Sequence, residues 1–178
     1  AVLSNNSGAA PPACGGAATV TFTVTSSCEP NKTCTATFTV TTAPTVDLTC
    51  AANVTEAACQ LQSVIDSKFT TWLATTTFTG GCNATISNNN TGAPAACGGA
   101  TTVLFTVTSS CQTSVTCSAT FTVTAGTNLV LNCPVNTTEA ACQTQNTINN
   151  KYFTWLATAS VSGGCNVGLT NNSPSNGP

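Results

Sequence analysis

The sequence predicts a mainly β fold built as a tandem array, with one inserted α-helix per unit and disulfide staples. Three observations predict it. Six cysteines, Cys14, Cys28, Cys34, Cys50, Cys59 and Cys82, return 83 residues later as Cys97, Cys111, Cys117, Cys133, Cys142 and Cys165. A long period kept without a slip marks repeated structural units. Within each period, Thr alternates with apolar residues, the period-2 pattern of a strand with one buried face. Each period also holds one stretch with apolar residues at spacings of three and four, the pattern of an amphipathic helix.

The 178 residues hold two periods and a remainder of 12, so the reading frame divides into three pieces. Residues 1–43 are the C-terminal half of a repeat, 44–126 a complete repeat, and 127–178 the N-terminal part of the next. In the first piece, Val20, Phe22 and Val24 alternate with Thr19, Thr21, Thr23 and Thr25, and Ala36, Phe38 and Val40 with Thr35, Thr37, Thr39 and Thr41. These are the two strands of a hairpin, and β-branched Thr suits the outer side of a pleated surface. The complete repeat opens with a strand over Thr45 to Cys50. Thr55 reads as an N-cap and Glu56 as a first-turn acid, where the helix dipole favours negative charge. Ala58, Leu61, Ile65, Phe69 and Trp72 then share one face, which predicts a helix from Glu56 to Ala74. The next copy repeats it with Thr138 and Glu139, then Ile148, Tyr152, Trp155 and Leu156. Short strands over Thr76 to Thr79 and Asn83 to Ser87 flank the turn Gly80-Gly81-Cys82, and the Asn88–Asn90 loop leads to the hairpin of Cys97 to Thr124.

Composition narrows the function. With 41% apolar and 4% charged residues, the chain lacks the low hydrophobicity and high charge of disorder. A net charge of −2 offers no electrostatic footprint for nucleic acid or anionic lipid. No apolar run approaches the roughly 20 residues of a membrane span. Catalytic constellations that use His are excluded because the chain has none. The five acids include Glu56 and Glu139, one helix-start position in two copies, and Asp66 and Lys68 read as solvated on the outer helix face. No cofactor or metal site is expected: zinc spacing is missing, and the Asn88–Asn90 loop offers amide oxygens without carboxylates. Asn-x-Ser/Thr sequons such as Asn53 and Asn89 follow from an Asn- and Thr-rich composition. Trp72 and Trp155 admit a sugar-stacking role, but at helical core spacing they read as packing residues.

Twelve cysteines, an even six per period, indicate an oxidising compartment. Six cysteines allow 15 pairings. Cys97 and Cys111 bracket one extended strand, roughly 40 Å apart, whereas a disulfide tolerates about 7 Å between Cα atoms. Cys111 and Cys117 flank a hairpin turn. The favoured set is Cys111–Cys117, Cys82–Cys97 and Cys50–Cys59, repeated as Cys28–Cys34 and Cys133–Cys142. A crossed alternative joins Cys59 to Cys97 or Cys50 to Cys117.

The strand ending in cysteine (VDLTC, Val46–Cys50), the Gly80–Cys82 turn, the TTVLFTVTSS strand and the closing CSATFTVT strand resemble hyalin-repeat (HYR-like) immunoglobulin-like modules. The inserted helix EAACQLQSVIDSKFTTWLAT and the extra cysteines depart from that pattern. With TEAACQ, FTTWLAT and TGGCNATISNNNTGAPAACGG, the chain resembles repeats of giant Bacteroidota cell-surface gliding adhesins of the SprB type. The resemblance covers the whole chain. It implies tandem immunoglobulin-like β-sandwich modules, export by the type IX route, and display outside the cell, on its surface, in a long adhesive filament serving gliding or attachment. Its partners are then neighbouring repeats, surface polysaccharide or other filament subunits, with no nucleic acid and no membrane insertion in this segment. The expectation is a non-catalytic stalk segment stiffened by disulfides within each repeat. The competing expectation is a module binding polysaccharide or ice through the Thr-rich sheet face, with Thr102, Thr106 and Thr108 beside Thr120, Thr122 and Thr124.

Overall fold

The computed structural model describes residues 1–173 of the chain. It is mainly β, as its sequence predicts. The strands are β1 (Val2–Asn5), β2 (Gly16–Thr25), β3 (Lys32–Val40), β4 (Asp47–Thr49), β5 (Val54–Glu56), β6 (Thr77–Thr79), β7 (Thr85–Asn88), β8 (Gly99–Ser109), β9 (Gln112–Val123), β10 (Val130–Asn132) and β11 (Ser160–Ser162). Helix α1 (Gln62–Leu73) lies between β5 and β6, and α2 (Gln145–Leu156) between β10 and β11. Among the described residues these strands form four sheets, in the orders β1-β2-β3, β4-β6, β5-β9-β8-β7 and β10-β11.

The period governs the geometry as well as the sequence. Antiparallel β1 and β2 pair Asn5 with Phe22, and β7 and β8 pair Asn88 with Phe105, the same register 83 residues on. β4 pairs β6 through Leu48 and Phe78, and β10 pairs β11 through Leu131 and Val161. Turn glycines repeat too. Gly80 (φ 76°) and Gly163 (φ 71°) both take the left-handed region. A Cβ on Gly80 would lie against the carbonyl oxygen of Thr45, and one on Gly163 against that of Asn128. Only glycine fits so close an approach of backbone to backbone.

The chain clusters into two compact units that do not follow the repeat boundaries. One comprises residues 1–52, 71–91 and 102–119, the other 53–70, 92–101 and 120–178. In the first, Trp72 packs edge-on against Phe105 with ring centroids 6.3 Å apart, and its Nε1 donates to the Ala52 carbonyl at 2.7 Å. Val103, Phe105, Val107 and Ala119 are buried by the strict alternation of their strands. In the second, Phe69 meets Phe121 edge-on at 5.3 Å, and Ile65 and Val123 are buried. The expected core face of the helix is thus right at Ile65, Phe69 and Trp72.

The helix start differs from expectation. Thr55 and Glu56 are not its cap and first turn, because residues 54–56 form a strand that pairs parallel with β9, Val54 beside Phe121 and Glu56 beside Val123. The Glu56 carbonyl accepts from Thr124 N–H at 2.9 Å, and Asn53 Oδ1 accepts from Thr120 N–H at 2.8 Å. Backbone pairing along β9 outweighs a local capping signal. Leu61, expected in the core, precedes the helix and is 65% exposed. In α2 the N-cap is Thr144 rather than Thr138; its side chain accepts from Thr147 N–H.

Candidate functional site

The chemistry of this chain is concentrated in its cysteines. Three disulfides form: Cys14–Cys111, Cys50–Cys117 and Cys59–Cys165, with Cα separations of 5.2, 6.0 and 4.9 Å. Their sequence spans are 97, 67 and 106 residues. Cys28, Cys34, Cys82, Cys97, Cys133 and Cys142 are unpaired.

None of the short-range pairings favoured from the sequence is present. Cys34 stands across the ladder from Phe22, two residues inside the last pair, Val24 with Lys32, whereas Cys28 lies in the loop beyond it. At about 3.3 Å per residue this puts Cys28–Cys34 out of easy reach; in the next copy Cys111 sits in the two-residue turn between β8 and β9, and Cys117 lies six residues further on, within β9. Cys82 is held at the Ser109–Ser110 end of β8: its N–H donates to Ser109 Oγ at 3.1 Å, and its carbonyl accepts from Ser110 N–H at 3.0 Å. Cys97 precedes the Gly99 end of the same strand, so Cys82–Cys97 would have to span its length. Cys50 and Cys59 bond elsewhere, which removes Cys50–Cys59 and leaves Cys133 and Cys142 unpaired. Of the crossed alternatives, Cys50–Cys117 forms and Cys59–Cys97 does not.

The sequence held a signal for Cys50–Cys117. Cys117 has the same strand parity as Ala119, Phe121 and Val123, all buried, so it points to the covered side. The other two bonds connect one repeat to the next and had no local signal. Cys59 adopts φ 66°, a left-handed backbone rarely taken by non-glycine residues. A Cβ on Gly126 would lie 2.8 Å from Cys165 Sγ, so glycine leaves room for that bond.

The three bonds share a topological property. Cys111 and Cys117 are six residues apart, and Cys50 and Cys59 nine. A covalent path therefore runs from Cys14 to Cys111, along the chain to Cys117, across to Cys50, along to Cys59 and across to Cys165. It contains 15 residue steps where the uncut backbone between Cys14 and Cys165 has 151.

The other expected features are spoken for. Glu56 accepts from Lys68 Nζ at 2.5 Å and from Gln60 Nε2 at 3.2 Å. Lys68 is therefore ion-paired rather than merely solvated, and its hydrogen bond, followed by that of Gln60, holds the Glu56 carboxyl below its ordinary value of 4.5. Glu139 and Lys151 repeat the pair at 2.5 Å, with the same effect on Glu139. In the Asn loop, Asn88 Oδ1 accepts from Asn90 N–H at 3.0 Å, which builds a turn, and Asn89 Oδ1 accepts from Leu104 N–H at 2.8 Å, which ties the loop to β8. On the Thr face, Thr85 and Thr108 hydroxyls are 3.0 Å apart, and Leu104, 43% exposed, breaks the row. Among the described residues no group of three His, Cys, Asp or Glu is placed to hold a metal, and no helix is long and apolar enough to cross a membrane.

A cleft of about 660 Å³ lies along α2, lined by Ile148, Tyr152 and Trp155 with Glu139 and Thr137. No known protein family, curated protein or solved structure matches the chain.

Proposed function

We propose that this chain is a non-catalytic stalk segment of a large extracellular repeat adhesin or surface filament, serving attachment or gliding at the cell surface, and that its modules are immunoglobulin-like. The observation that carries this reading is the covalent short-cut from Cys14 to Cys165. Overlapping disulfides limit how far a chain extends under load. A path of 15 residues reaches roughly 50 Å beyond its three bridges, against roughly 500 Å for 151 residues. The bonds also restrict the unfolded state, each by about 2–4 kcal/mol in typical cases. Long-range disulfides fit an oxidising extracellular location. The resemblance to gliding-adhesin repeats, with its implied type IX export, supports the same reading, as does the near absence of charge: a surface with few ions keeps its properties as salt changes.

Thermal melting of the chain with and without a phosphine reductant tests the stapling. The oxidised chain is expected to melt well above the reduced one. Equal melting temperatures would remove the mechanism. Glycan-array binding or thermal hysteresis by the oxidised chain would instead favour a ligand-binding module.

A further inference from the structure

The covalent short-cut from Cys14 to Cys165 uses only two stretches of backbone, residues 50–59 and 111–117. Their sequences are CAANVTEAAC and CQTSVTC. Neither holds a lysine, an arginine, an aromatic residue or a leucine. Lys32, Lys68 and Lys151 lie off the path, as do all seven Phe, both Trp and the one Tyr, and the chain has no Arg. Trypsin-type proteases read a basic side chain before the bond they cut, and chymotrypsin-type proteases a large apolar one. We propose that the disulfides have a second role: they keep the chain mechanically continuous after trypsin- or chymotrypsin-type proteases have cut it. The proposal rests on the stapled-stalk reading above and adds the class of enzyme that the stalk withstands.

Folding alone gives no such protection. Proteases act on transiently opened chain, so a fold shields its cut sites only while it stays closed. Bond topology survives opening. Cuts after the three lysines give the peptides 1–32, 33–68, 69–151 and 152–178. Cys14–Cys111 joins the first to the third, Cys50–Cys117 the second to the third, and Cys59–Cys165 the second to the fourth. Three bonds thus hold four peptides in one molecule, and none is spare. Each cut breaks one backbone C–N bond and adds one water, its OH to the lysine carbonyl carbon and its H to the following nitrogen.

The one charged residue on the path is Glu56. It sits in β5 against β9, its carbonyl accepting from Thr124 N–H at 2.9 Å and its carboxylate paired with Lys68. A cut after Glu56 in unfolded chain supplies the contrast. The molecule stays joined, but its shortest route then runs from Cys111 back along the chain to Cys59, 52 residue steps in place of 15.

The test takes the oxidised full-length chain, its unpaired thiols capped with N-ethylmaleimide, and digests it in urea with a lysine-specific endoprotease. Mass is read before and after reduction. The expected result is one molecule before reduction, heavier than the uncut chain by three waters, and the four peptides after it. The double variant Cys50→Ser/Cys117→Ser should part without reduction into two bonded pairs, 1–32 with 69–151 and 33–68 with 152–178. A single molecule from that variant would overturn the assigned path. Force extension of the lysine-cut parent chain, held at its two ends, should still read a fully stretched length of about 15 nm, and a glutamate-specific protease should raise it to about 28 nm. A longer lysine-cut chain with all four peptides still joined would overturn this proposal alone. Release of any of the four peptides from the parent chain before reduction would remove the bonds themselves, and the stapled-stalk reading with them.

Discussion

Trp72 and Trp155 occupy the same phase of the repeat and make the same Nε1 hydrogen bond, yet only Trp72 is buried, at 7% exposure. Their substitution separates packing from residue type. Trp72→Ala should destabilise the chain by about 3–5 kcal/mol, the usual result of emptying a large core site. Trp155→Ala should change the stability of the monomeric chain far less, and urea denaturation of the two variants checks the contrast. A second prediction concerns Glu56. Its folded carboxyl is held below 4.5 by Lys68 and Gln60, so the pair stabilises the fold above that value and the contribution fades as pH falls through the lowered pKa. Urea midpoints should therefore fall more between pH 7 and 3 for the parent chain than for Glu56→Gln. Identical pH dependence would remove the role assigned to this pair.

Among elements, the Thr-alternating hairpins and the one helix per repeat were legible because their signals are local and periodic. The buried row Phe105, Val107, Phe121 and Val123 follows directly from strand parity. The helix start was not legible. Thr55-Glu56 carries a sound capping pattern, but the segment pairs with a strand some 67 residues further along, as Val54 with Phe121 shows. The disulfides divide in the same way. Cys50–Cys117 lies within one repeat and had a parity signal, while Cys14–Cys111 and Cys59–Cys165 cross repeats, and proximity in sequence pointed to the wrong partners. The Gly80 turn gives a prediction at this scale. Its left-handed backbone and the Thr45 carbonyl leave no room for a Cβ, so Gly80→Ala should destabilise by roughly 1–3 kcal/mol. Removing Cys117 by Cys117→Ser should cost about 2–4 kcal/mol, since it opens a 67-residue loop. Denaturation midpoints of both variants under oxidising conditions are the check.

At the scale of the whole molecule, the repeat is a pattern of bonds as much as a pattern of strands. Two of the three disulfides join one period to the next, so neighbouring repeats are linked covalently as well as by chain continuity. That arrangement is what makes the short-cut from Cys14 to Cys165, and with it the inextensible character proposed for the stalk. The direct measurement is force extension of single oxidised chains held at their two ends, the six remaining thiols capped, before and after adding a reductant. The account predicts a fully stretched length of about 15 nm when oxidised, rising to about 60 nm once the three bonds are cut. A length near 60 nm in both conditions would contradict it.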